Sequence, residues 1–160
     1  MSAGLPAALV GASLGLALSF ASHRGRILAL PAVVLSAIVA WMFAPSFVPP
    51  GSTPFLACWV CMVVAATAVF LARRIVTCVA LALATATGAC VGVVVAVAGQ
   101  PADLPLPLAL ILLMVPGGWL VASGRQIALK VVASWLTAIA LLSAALPLTP
   151  TPGYEPDHFQ

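Results

Sequence analysis

From Ile75 to Gly99 no charged side chain interrupts the chain. A helix needs roughly 20 apolar residues to cross a hydrocarbon layer of about 30 Å, so this stretch alone is long enough to span a membrane. Five further apolar stretches, divided by short polar turns, read the same way. Hydrophobic residues make up 64% of the 160 and charged residues only 6%, whereas a soluble domain carries about 25% charged residues. Too little polar side chain is available to cover a water-facing surface. The apolar runs are continuous and do not alternate, which favours helices over a barrel. The fold class expected is therefore all-α, a polytopic transmembrane helical bundle.

Six spans are expected. The first runs from Gly4 to Ala21, the second from Ile27 to Ala44, the third from Phe55 to Ala72 and the fourth from Ile75 to Ala98. The fifth covers Leu104 to Ala122 and the sixth Ile127 to Leu146. Residues 1–146 form the membrane domain, and residues 147–160 a proline-rich extracytoplasmic tail. His23-Arg24-Gly25-Arg26, Arg73-Arg74 and Gly124-Arg125-Gln126 make the turns within three helical hairpins, about fifty residues apart. That spacing suggests an internal repeat of a hairpin unit. Pro45 to Pro54 and Gly99 to Asp103 form the loops between hairpins, where proline stops the helix.

Charge sets the orientation. Arg24, Arg26, Arg73, Arg74, Arg125 and Lys130 all fall at the hairpin turns, and Asp103, Glu155 and Asp157 all fall on the other side. The positive-inside rule places the basic turns in the cytoplasm and both termini outside. The first span has no basic residue ahead of its apolar core, so it reads as a first transmembrane helix rather than a cleaved signal. The localisation expected is a plasma membrane, in character a bacterial inner membrane. The formal net charge of +3 sits on loop anchors, and no nucleic-acid partner is expected.

Two ladders of small residues mark the packing faces. Ala7, Gly11, Gly15 and Ser19 recur every four residues in the first span, and Ala80, Ala84, Gly88, Gly92 and Ala96 do so in the fourth. Residues four apart share a helix face. In lipid, close backbone approach across such a face supplies the association energy. Trp41, Trp59 and Phe55 suit the outer interface. Trp119 and Trp135 lie deeper, as packing or interface residues.

Three features could carry chemistry. Cys58 and Cys61 form a CxxC near the outer end of the third span, and Cys90 should lie at similar depth in the fourth. Thiol redox exchange or soft-metal binding would need such a cluster, although buried cysteines also serve as small apolar residues. Pro116-Gly117-Gly118 weakens the fifth span and suggests a helix break, of the kind that lines solute sites in transporters. In the tail, Tyr154, Glu155, Asp157, His158 and Phe159 have the make-up of a docking peptide. No carboxylate lies inside any span, which disfavours ion-coupled transport, and no triad of groups is placed for hydrolysis.

The reading expected is thus a non-enzymatic accessory or assembly subunit of a larger membrane complex, without cofactor or metal. Its partners would be the lipid bilayer and other membrane subunits. A transporter or channel component for a neutral or hydrophobic solute is the alternative, and a thiol-redox membrane protein using Cys58 and Cys61 a second.

Overall fold

A computed structural model of the protein describes residues 4–47, 53–71 and 75–145. These form seven α-helices: α1 (Gly4–Leu18), α2 (His23–Phe47), α3 (Thr53–Leu71), α4 (Thr77–Ala98), α5 (Pro105–Leu110), α6 (Met114–Ala122) and α7 (Gln126–Ala145). Single 3-10 turns at Pro101–Asp103 and Ile111–Leu113 precede and follow α5. Among the described residues the only strand-like pairing is one parallel bridge, between Ala21 and Ile75. Among the described residues, four segments are long and apolar enough to cross a membrane: His23–Ala44, Thr77–Ala98, Pro105–Ala122 and Gln126–Ala145. Two shorter apolar helices accompany them, Pro6–Leu18 and Leu56–Phe70.

The shorter of these two occupies the centre. From Val10 to Ala21 nearly every side chain of α1 and the turn after it is buried. The sequence of α1 explains this, because it offers no polar face: alanine, glycine, leucine and valine surround the whole helix. A helix that is apolar all round belongs inside a bundle. It packs on α3, α4, α5, α6 and α7, while α2 lies outside this group and packs chiefly on α4.

Two helix pairs meet in parallel, in constant register. Gly25 faces Ala80, Gly88 lies against Val33 and Ser36, and Gly92 against Ala37 and Ala40, so α2 and α4 run the same way. Gly11 lies against Pro107, Gly15 against Leu110 and Ile111, and Gly117 against Ser19, so α1 runs parallel to the α5–α6 segment. The ends of α1 and the start of α4 are tied directly. Ile75 N–H donates to Phe20 C=O at 3.0 Å, and Ser22 Oγ and Thr77 Oγ1 share a hydrogen bond of 3.1 Å. Chain neighbours, by contrast, touch less: α3 on α4 and α6 on α7 make smaller contacts than α2 makes on α4.

Candidate functional site

The cysteines come first, because they carry the most reactive groups. Cys61 projects from α3 and Cys90 from α4, and their sulfurs lie 3.1 Å apart. Cys58, one turn earlier on α3 and fully buried, approaches the same Cys90 sulfur. Cys61 and Cys90 are only half-buried, and Cys78 is exposed elsewhere on α4. All four are free thiols. The CxxC spacing puts Cys58 and Cys61 on neighbouring turns of one helix, and α3–α4 packing supplies the third sulfur. Among the described residues no group of three or more His, Cys, Asp or Glu side chains is arranged to hold a metal ion.

The segment around Pro116-Gly117-Gly118 has a different geometry from a broken helix at that point. α6 runs through all three residues, and the irregular turn lies just upstream, at Ile111–Leu113. Proline crowds the carbonyl four residues before it, which here is that of Leu112 in the 3-10 turn. Pro116 itself sits in the first turn of α6, where a missing N–H leaves no intrahelical bond unmade. The two glycines serve close packing. A Cβ on Gly117 would collide with the Ser19 hydroxyl, and one on Gly118 would meet the Arg26 guanidinium carbon at 3.0 Å. A cleft of about 240 Å³ adjoins this seam, lined by His23, Arg26, Ile27, Leu30, Met114 and Val115.

Arg26 is the residue whose role sequence reading missed. Its Nε donates to Leu18 C=O at 3.0 Å, and its Nη2 donates to Ser19 C=O. Phe20 C=O accepts from Ile75. Three consecutive carbonyls at the end of α1 therefore find donors from α2 and from the residues ahead of α4. A cation at a helix C-terminus also complements the helix dipole. The available signal was an arginine eight residues after the last residue of an apolar helix.

Both small-residue ladders are filled by this chain. Cβ atoms on Gly11 or Gly15 would strike the backbone of residues 107–111, and Cβ atoms on Gly88 or Gly92 would strike that of α2. Ala7, Ser19, Ala80 and Ala84 are buried, while Ala96 is partly so. The large aromatics go the other way: Trp119 and Trp135 are 65% and 73% exposed on the outside of the bundle, whereas Trp59 is buried. Small residues take the interhelical contacts because they bring backbones close, while Trp119 and Trp135 stay on the perimeter. Between α3 and α7 lies a second cleft of about 230 Å³, walled entirely by apolar side chains including Trp59, Val63 and Leu141. Tyr154, Glu155, Asp157, His158 and Phe159 lie outside the described residues.

No family model, curated protein or solved structure matches the chain.

Proposed function

We propose that the protein is a non-enzymatic, multi-pass membrane subunit that supports or helps assemble a larger membrane complex. The observation that carries this reading is how the polar side chains are spent. Ser13, Ser19, Ser36, Thr67, Thr85, Ser123, Ser134 and Thr137 each donate to a backbone carbonyl three or four residues earlier, within a helix or from the residue that ends it. Among the described residues no buried side-chain nitrogen or oxygen lacks a partner. Such bonds satisfy the hydroxyls within their own helices and leave the interior to packing. The free surface is apolar and broad, above all on α7, where Ile127, Val131, Trp135 and Leu142 all face outward.

Six crossings, arranged as three hairpins with both termini on the outer side of a bacterial inner membrane, fit this reading. Support comes from the parallel register of α1 with α5–α6 and of α2 with α4, together with the placement of all six basic residues in the hairpin turns or in the first turns of the helices that follow them. The short α1 is shielded by neighbouring helices, so its length need not match the lipid. Extraction in mild detergent followed by native mass spectrometry tests the subunit role. A fixed stoichiometry with another membrane protein is expected. A stable lone chain that moves a solute in proteoliposomes would overturn it.

One observation favours a second reading, a transport component for a neutral or hydrophobic solute. The cleft beside Val115 and Met114 reaches the α6 seam next to Pro116. Filling it with Val115→Trp should then block uptake while the protein still folds; unchanged uptake would remove this alternative.

A further inference from the structure

We propose that Cys61 and Cys90 form a disulfide between α3 and α4, closed by a membrane-soluble quinone. This inference stands apart from the subunit role. The two sulfurs already face each other at 3.1 Å, about 1 Å beyond a covalent S–S bond, so closing the bond needs little helix movement. Cys61 lies about two turns into α3 and Cys90 about two turns before the end of α4. At 1.5 Å of rise per residue both sit roughly 12 Å inside the helix ends, at matching depth.

Depth decides the oxidant. Water-soluble disulfides do not reach an apolar layer, but a lipid-soluble two-electron acceptor does. Cys61 and Cys90 are both partly exposed, and Val60 and Val64 beside Cys61 are open at the bundle surface, so a lipid-borne ring can approach the pair from outside. Both S–H bonds break and one S–S bond forms. The two electrons and two protons pass to the quinone oxygens, giving 2 R–SH + Q → R–S–S–R + QH2. Cys58 approaches Cys90 from the buried side, where the quinone has no access, so it stays reduced. The bond joins α4, which packs most extensively on α2, to α3, which packs on α1 and α7. It would fasten the seam between them.

The test uses the full chain in lipid nanodiscs with a decyl-substituted ubiquinone, whose ring has no open position for thiol addition. After treatment the protein is denatured and its thiols are counted by a maleimide that adds mass. The chain has four cysteines, and the count should fall from four to two. Cys58→Ser and Cys78→Ser should each still lose two thiols. Cys61→Ser and Cys90→Ser should lose none. Loss of two thiols in Cys61→Ser would assign the bond to Cys58 and overturn the pairing. A count that stays at four with quinone but falls to two with the permeant oxidant diamide would overturn the choice of oxidant. A count of four with both reagents would overturn the disulfide itself.

Discussion

Arg26 shows how one side chain can close a helix end buried inside the protein. Carbonyls without partners are costly where no water reaches them, and the guanidinium fork serves two at once, those of Leu18 and Ser19. Arg26→Ala should cost about 2 kcal/mol, because hydrogen bonds from a charged donor carry about 1.5–3 kcal/mol. Arg26→Lys should recover only part of this, since an ammonium keeps the charge without the planar fork. Unfolding in mixed micelles measures both. Gly124 is a second residue whose identity is dictated locally. It takes φ of 76° with open space around it, so Gly124→Ala should cost about 1–2 kcal/mol from backbone strain alone. A larger loss would mean that the turn after α6 makes contacts that the backbone angle does not explain.

Among the elements, the α2–α4 pair makes the most extensive contact, and glycine sets its spacing. Gly88→Ala puts a methyl group into the Val33 carbonyl, and Gly92→Ala one into the Ala37 carbonyl. Backbone cannot swing aside as a flexible side chain can, so each should destabilise by about 1–3 kcal/mol, as overpacked cores do. Ala82→Leu, on an exposed face of the same helix, should change stability little. If the exposed substitution proved as harmful as the glycine ones, α4 would have a second tight face. The α5–α6 segment is governed by proline instead. Pro105 and Pro107 lie in the first turn of α5 and Pro116 in the first turn of α6, where each is tolerated. Pro116→Ala should therefore let the turn at Ile111–Leu113 relax toward α-helix, visible as greater amide protection there.

At the scale of the whole molecule, the helical class and its apolar segments were legible in the sequence, because run length and charge content depend on composition alone. The ladders at Gly11, Gly15, Gly88 and Gly92 marked close contacts, since spacing of four fixes a helix face. Which helix fills each ladder was not legible. A stripe of small residues accepts any backbone, and only the assembled bundle gives α5 to α1 and α2 to α4. The central position of α1 was not legible either, because every span is apolar and run length does not say which helix the others surround. The contact between Cys61 and Cys90 depends on rotation of two helices about their axes, which spacing within either helix does not set. The parallel register of α1 with α5–α6 and of α2 with α4 is what three similar hairpins would produce, and it brings the turns after α1 and ahead of α4 side by side. The six-crossing arrangement is tested most directly by single-cysteine accessibility in a chain whose own cysteines are serine. His23→Cys, Ala72→Cys and Ser123→Cys should react with an impermeant maleimide only after permeabilisation, and Ser52→Cys, Ala102→Cys and Gly153→Cys in intact cells. Labelling of the first three from opposite sides of the membrane would contradict the arrangement.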